Sequence, residues 1–303
     1  MQASLTILGC GSAKPTKSNQ PSCQVLTLRD KQFMIDCGEG AQISLQRCRQ
    51  PINRLSNIFI SHLHGDHCFG LIGLISTLGM LGRTKTLYIH AHPDLKKLLA
   101  PMLDYFCQGM AYDVVFECFD PYKSAVIYED RSLTVTSFPL KHRVPCAGFL
   151  FEEKQGLRHL LRDMADAYHI PIAQFNNIKQ GADFVTDDGR VIENRFLTTD
   201  PTPPLRYAYC SDTAYSEKII PHIEGVDCLY HEATYTDQYK QNAMDNMHST
   251  ASQAAQIALK AKVKQLIIGH FSARIANLNE LLQEAKTVFP HTILAQEGKT
   301  YQF

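Results

Sequence analysis

The chain has 303 residues, of which 45% are apolar and 20% charged, and its 30 basic and 30 acidic side chains cancel. That length can carry one large α/β domain or two. A neutral balance argues against a strong non-specific nucleic-acid binder, while leaving room for an RNA recognised by shape on a local cationic surface. No run of about 18 apolar residues points to a membrane-spanning helix. Residues 1–7 lead straight into a strand without the basic and apolar regions of a signal peptide, so a cytoplasmic protein is expected. The 10 cysteines are scattered with no C-x-x-C pair. They read as small buried residues of a reducing compartment, Cys37 and Cys68 included.

Taken in order, residues 5–8 form a strand that ends in a glycine loop too short for a dinucleotide fingerprint. Residues 14–21 are a turn-rich loop. Two β runs, 23–28 and 32–36, read as a hairpin over Arg29-Asp30-Lys31, and 40–49 as a helix. A buried strand at 57–60 precedes the densest motif. Beyond it, 69–81 reads as a buried helix, 86–90 as a strand with His90 and His92 as loop histidines, and 95–106 as an amphipathic helix. A strand at 132–138 delivers Pro139-Leu140-Lys141-His142. Between Glu152 and Pro204 the composition turns polar and locally basic, with a small hairpin at 184–192 on a D-G turn. This stretch reads as an insertion standing off the core. Arg158 and Arg162 recur there at helical i, i+4 spacing and are candidate phosphate contacts. The second half alternates strand and helix through 206–210, 217–223, 226–231, 250–261, 265–268, 278–288 and 292–295, the pattern of an α/β sandwich.

The motif is Ile60-Ser61-His62-Leu63-His64-Gly65-Asp66-His67. In extended backbone His62 and His64 leave on one face, and Gly65 lets the chain turn so that Asp66 and His67 face a second point. Imidazole nitrogens and carboxylate oxygens suit zinc, so one segment can supply two ligands to each of two metals. Asp36, His62, His142, Asp212, Glu232 and His270 all follow apolar β runs, and ligand sites gather where strand ends open into loops.

His62-Leu63-His64-Gly65-Asp66-His67 resembles the signature of the metallo-β-lactamase fold. Its company resembles tRNase Z (ribonuclease Z), the endonuclease family that trims the 3′ trailer from precursor tRNA. That company is Asp36-Cys37-Gly38-Glu39-Gly40, Pro139-Leu140-Lys141-His142, Ser211-Asp212-Thr213, His231-Glu232-Ala233-Thr234, His248-Ser249-Thr250 and Gly269-His270-Phe271-Ser272-Ala273-Arg274. The resemblance spans nearly the whole chain. It implies a four-layer αβ/βα sandwich over 1–303 as a single domain, with 152–204 as an inserted, protruding tRNA-binding arm.

The resemblance also assigns roles. His62, His64 and His142 hold one zinc, Asp66, His67 and His270 a second, and Asp212 bridges the two. Asp66 accepts a proton from the attacking water. Glu232 orients His248, which protonates the leaving oxygen. Asp36 and His231 support the ligands. The implied products are a 3′-hydroxyl on the tRNA and a 5′-phosphate on the trailer. A homodimer is implied, in which one subunit's arm grips the tRNA that its partner cuts. Lys17, Arg158, Arg162 and Arg274 are candidate substrate contacts. Two segments depart from the family pattern: the arm tip at 169–174 lacks glycine, and the loop Pro15-Thr16-Lys17-Ser18-Asn19-Gln20 lacks an arginine. Two other readings stay open. One is a small-molecule or cyclic-nucleotide zinc phosphodiesterase on the same scaffold. The other is a non-catalytic RNA-binding protein, which a broken ligand set would mark; here all seven ligand positions are filled.

Overall fold

The computed structural model describes residues 3–303; Met1 and Gln2, read above as leading into the first strand, lie outside the described residues. The residues fall into two compact units, one of Met1–Glu129, Thr134–Glu152 and Arg206–Phe303, the other of Asp130–Leu133 and Glu153–Leu205.

The larger unit is built on two mixed sheets, each of seven strands among the described residues. The first sheet opens with antiparallel strands Ser4–Gly9, Cys23–Leu28 and Lys31–Cys37. The hairpin between the last two turns on Arg29 and Asp30, both at positive φ (51° and 63°), the two-residue turn whose twist matches its strands. From Lys31–Cys37 outward the neighbours Leu55–Phe59, Leu87–Ala91 and Val114–Cys118 are parallel. In the second sheet Arg206–Cys210, Cys228–Glu232, Gln265–Gly269 and Thr292–Leu294 are parallel, and Ala147–Glu153 joins Arg206–Cys210 antiparallel. Parallel neighbours need crossovers, and helices Ala41–Arg47, Leu71–Met80 and Pro93–Phe106 supply them in the first half. Ala251–Lys260 and Leu278–Val288 do so in the second.

The two sheets meet through aromatic side chains. Phe33 lies 5.5 Å from Phe151, and Phe59 lies 5.3 Å from Phe151 and 5.7 Å from Phe149, ring centre to ring centre. All four rings are essentially solvent-free. Burying each such ring contributes roughly 1.5–3 kcal/mol, so this layer fixes how the strand ends of both sheets converge.

Some expectations change. The segment read as one buried helix at 69–81 is a short helix Gly65–Cys68, a break, and Leu71–Met80; Phe69 sits in the break with 69% of its surface exposed. His90 is no loop residue: it lies inside strand Leu87–Ala91, 3% exposed, stacked on Phe59 and bonded through Nε2 to Asn57. His92 is the N-cap of Pro93–Phe106, its Nδ1 accepting from Asp94 N.

The smaller unit has its own core of Ala165, Ile170, Ile178, Ile192 and Leu197. It holds the short pairs His159–Leu160 with Thr198–Thr199 and Phe184–Val185 with Val191–Ile192, the latter the hairpin read on the D-G turn. Arg158 and Arg162 do not share a helix face. His159–Leu160 is strand, and the helix begins only at Arg162. Pairing with Thr198–Thr199 overrides the local i, i+4 pattern. No helix among the described residues is long and apolar enough to cross a membrane.

Candidate metal centre

Strand Leu55–Phe59 runs buried into Ile60 and Ser61, and His62 and His64 follow before helix Gly65–Cys68 starts. His64 is extended (φ −75°, ψ 148°), so the chain passes His62 and His64 to one side before Gly65 turns it. Gly38 makes room for that turn: a Cβ there would lie 2.6 Å from the Asp66 carbonyl oxygen. His142 arrives from the end of Leu133–Pro139, Asp212 from Arg206–Cys210, and His270 directly after Gln265–Gly269.

His62, His64, His142 and Asp212 form one cluster and Asp66, His67 and His270 a second, which Asp212 also reaches; Asp212 and His270 further gather with His248. In the first, His64 Nδ1 lies 3.0 Å from His62 Nε2 and 3.3 Å from His142 Nε2. Asp212 Oδ2 is 3.6 Å from His62 Nε2 and 3.7 Å from His142 Nε2. In the second, His67 Nε2 and His270 Nε2 are 3.3 Å apart, each 3.5 Å from Asp66 Oδ2. Asp212 Oδ1 is 3.4 Å from His67 Nε2 and 3.1 Å from His270 Nε2. A tetrahedral zinc with ~2.0–2.1 Å bonds sets its donors ~3.3–3.4 Å apart. Both clusters have that edge length, and the Asp212 carboxylate turns one oxygen to each.

The outer nitrogens fix which lone pairs face inward. His142 Nδ1 donates to the Met247 carbonyl at 3.0 Å, and His67 Nδ1 donates to Asp36 Oδ2 at 2.7 Å. His270 Nδ1 donates to Thr234 Oγ1 at 3.0 Å, and His62 Nδ1 to Ser61 Oγ at 3.0 Å. With protons outside, the inner nitrogens of these four rings are bare. Bare nitrogens facing one another at such distances repel unless a cation lies among them, so the donor set fits bound metal.

Asp36 organises the second cluster from behind. It is wholly buried, and its carboxylate accepts from Ser61 N (2.8 Å), Ser61 Oγ (2.9 Å), Tyr209 OH (2.7 Å) and His67 Nδ1. It reaches this position through a β-bulge. Cys23 pairs Cys37 while Gln24 pairs Ile35, leaving Asp36 as the extra residue at φ 55°.

Beside the clusters lies a second couple. Glu232, fully buried, accepts at Oε1 from His248 Nδ1 (2.8 Å) and Thr213 N (2.9 Å). At Oε2 it accepts from Thr234 N (3.1 Å) and Thr234 Oγ1 (2.6 Å). Burial by itself would depress the His248 imidazole, but the Glu232 carboxylate outweighs it and lifts the pKa to about 9. The reciprocal holds for Glu232: burial raises it, yet the His248 charge leaves it below its ordinary value. The turn that presents His248 is set by Thr250, whose hydroxyl and Gln253 form a capping box on helix Ala251–Lys260. The His248 ring centre is 5.3 Å from that of His142 and 5.4 Å from that of His270.

Other residues singled out in the sequence take different places. His231 is buried, but its Nδ1 donates to the Glu232 carbonyl at 2.7 Å and it bonds to no metal-cluster side chain among the described residues. Asp66 Oδ2 also accepts from Ala13 N at 2.7 Å, tethering the loop that carries Lys17. Arg274 is exposed, and its charge acts on Tyr235, which lies edge-on to His248. Arg158 pairs with Asp200, and Arg162 with Asp166. Cys37 and Cys68 keep protonated thiols: burial pushes Cys37 far up and Cys68 to about 11. Sequence reading missed four supports, namely Ser61, Tyr209, the Thr234 hydroxyl and the Met247 carbonyl. Ser61 and Thr234 were visible inside their motifs. Tyr209 and Met247 carry no signal without the fold.

The family described as Anti-Pycsar protein Apyc1 matches residues 3–157. Ribonuclease Z of Phocaeicola vulgatus is 57% identical over 291 residues, covering 96% of this chain and 94% of that protein. Ribonuclease Z of Bacteroides fragilis is 56% identical over 97% of each chain. Among solved structures, the short form of human tRNase Z has a TM-score of 0.70 at 22% identity, covering 98% of both chains. The metallo-β-lactamase fold protein YhfI of Bacillus subtilis has a TM-score of 0.70 at 20% identity over the full length of both. The two sheets flanked by helices are therefore the metallo-β-lactamase fold, and, with more than half its residues shared end to end with curated relatives, the chain belongs to the ribonuclease Z family.

Proposed function

We propose that this protein is a hydrolytic, zinc-dependent endoribonuclease that removes the 3′ trailer from precursor tRNA. The observation that carries the reading is the pairing of two donor clusters that both lie against the Asp212 carboxylate with a Glu232–His248 couple alongside. His62, His64 and His142 with Asp212 Oδ2 would hold one zinc; Asp66, His67 and His270 with Asp212 Oδ1 the other. Bound zinc polarises water and offsets charge on phosphoryl oxygens.

The chain's own residues supply the rest. Glu232 holds the His248 ring and favours its protonated form, so His248 Nε2 is the donor to the departing 3′-oxygen. Asp66, which lies on the second cluster, takes the proton given up by the attacking water. Thr234 ties the two functions together, its hydroxyl accepting from the ligand His270 and donating to Glu232. With water as nucleophile the ribose 2′-hydroxyl is not used, and the ends are a 3′-hydroxyl and a 5′-phosphate. Asp36 braces His67, and His231 supports Glu232 through its carbonyl.

The smaller unit is read as the arm inserted into the single catalytic domain. Leu157, Arg158, His159, Arg162, Phe175 and Lys179 line a cavity of about 440 Å³ there, and Arg162 lies over the Phe175 ring. Cations beside an aromatic face suit an RNA backbone. Lys17 and Arg274 are read as contacts nearer the cut. A homodimer is favoured by the large apolar side chains left exposed on and beside helices Leu71–Met80 and Pro93–Phe106, among them Met80, Leu98, Tyr105 and Phe106. The cytoplasm, where the substrate is made, is the proposed compartment. The test is a substrate panel of 3′-extended precursor tRNA, a cyclic nucleotide and a nitrophenyl phosphodiester, each with and without chelator. Rapid chelator-sensitive cleavage of the precursor supports the reading. Cleavage of the small diesters alone overturns it.

A further inference from the structure

A cavity of about 470 Å³ is lined by Pro139, Leu140, Lys141, Ser216, Lys218 and His222. One wall is the segment immediately before the ligand His142; the other begins four residues after the bridging Asp212. The walls are pinned together: Lys141 N donates to Thr213 Oγ1 at 3.1 Å, and Ala214 N donates to the Lys141 carbonyl at 2.8 Å. His222 is held flat on the buried Phe138 ring, 5.1 Å between centres and 7° between planes. The floor is thus rigid on both sides.

The charge in this cavity is of one sign. Neither Lys141 nor Lys218 forms an ion pair among the described residues, and no carboxylate lines the space. The neighbouring Glu217 is engaged by Lys260 and Tyr215. Two free ammonium groups over apolar walls from Pro139 and Leu140 match a nucleotide unit, with phosphate at the lysines and sugar or base on the hydrocarbon. The metal clusters and the His248 couple do not use any of these side chains.

We propose that Lys141 and Lys218 form a phosphate subsite that holds the RNA strand next to the nucleotide being cut. Lys141 directly precedes His142, and its backbone bonds to Thr213 and Ala214, the two residues after Asp212, so both walls continue into segments that carry cluster side chains. This deepens the ribonuclease reading and rests on it. Flexible lysines, not a bidentate arginine fork, give a contact that tracks the backbone and tolerates sequence.

The experiment compares wild type with the double variant Lys141→Gln, Lys218→Gln on precursor tRNA carrying short and long trailers. For the variant, KM should rise roughly tenfold with kcat kept, the scale expected when two exposed lysine–phosphate pairs are removed together. The slope of log(kcat/KM) against log salt should become shallower by up to about 1.4. A nitrophenyl phosphodiester, which ends at the cut phosphate, should be hydrolysed within about twofold of wild type by the same comparison. A KM rise only with long trailers places the strand on the trailer side; a rise with both places it on the tRNA side. Unmoved KM and slope overturn the subsite, as does a parallel loss on the small diester, which would mean that the lysines act on the centre itself. If wild type fails to cut precursor tRNA, the ribonuclease reading fails on its own. The subsite is then decided by binding of a labelled single-stranded RNA decamer, where equal affinity of wild type and variant overturns it and weaker binding by the variant supports it.

Discussion

Replacing Asp36 by Asn removes one charge from behind the second cluster and leaves the backbone alone, because Asn tolerates the positive φ that the bulge imposes. Four donors converge on this carboxylate: Ser61 N at Oδ1, and Ser61 Oγ, Tyr209 OH and His67 Nδ1 at Oδ2. An amide cannot satisfy them. Its NH₂ must face either the three donors on one side or Ser61 N on the other, and the second choice is the lesser loss. That strands one buried N–H, about 1–3 kcal/mol, and turns three charge-assisted bonds into neutral ones worth about half as much. The metal-free protein should therefore lose about 3–7 kcal/mol, a large share of the ~5–15 kcal/mol a domain has. Weaker orientation and lower basicity of His67 should cut metal affinity by roughly 10–100-fold. The assay is urea denaturation of the metal-free protein together with zinc titration against a competing chromophoric chelator. An Asp36→Asn protein that binds zinc within about threefold of wild type would refute the assigned role of the brace.

Four further outcomes are expected. Wild-type protein should carry close to two zinc per chain, and Asp212→Ala should lose most of both, since its oxygens serve both clusters; elemental analysis of active wild type with one metal would contradict the shared bridge. His248→Ala should keep its zinc but lose roughly two to four powers of ten in rate on RNA. The same change should spare a nitrophenyl leaving group, and equal loss on both would remove the donor role. Replacing residues 156–195 with a short linker should spare folding and small-diester cleavage while sharply lowering precursor-tRNA processing and its salt dependence, because phosphate contacts go with the smaller unit; unchanged processing would exclude that unit from substrate grip. Leu98→Glu with Tyr105→Glu should convert a dimer to monomer in sedimentation, both side chains being exposed on one helix; a persisting dimer would move the interface elsewhere.

The side chains that cluster were legible because their chemistry is local. Three histidines and an aspartate within six positions, and a polar residue after each apolar strand run, are patterns that packing seldom produces. What supports that set was hidden because it is not local. The bulge at Asp36 depends on pairing with Cys23–Leu28, and Tyr209 reaches Asp36 across the gap between sheets. Met247 matters through a carbonyl, which any residue offers; only its positive φ of 58° marks it. Edge strands Val114–Cys118 and Ala125–Glu129 escaped notice because they are half exposed and lack a clean alternation. Thr300–Gln302 is three residues long and pairs with Ser4–Thr6 at the far end of the chain. The i, i+4 reading of Arg158 and Arg162 failed for the same reason, a distant strand claiming the residues between them.

The most direct measurement is end mapping of a 3′-extended precursor tRNA after incubation with the purified protein. The proposed function calls for a single cut at the trailer junction that vanishes with chelator and returns with zinc, leaving a 3′-hydroxyl on the tRNA and a 5′-phosphate on the trailer. A 2′,3′-cyclic phosphate at the cut, or cleavage indifferent to chelator, would contradict it.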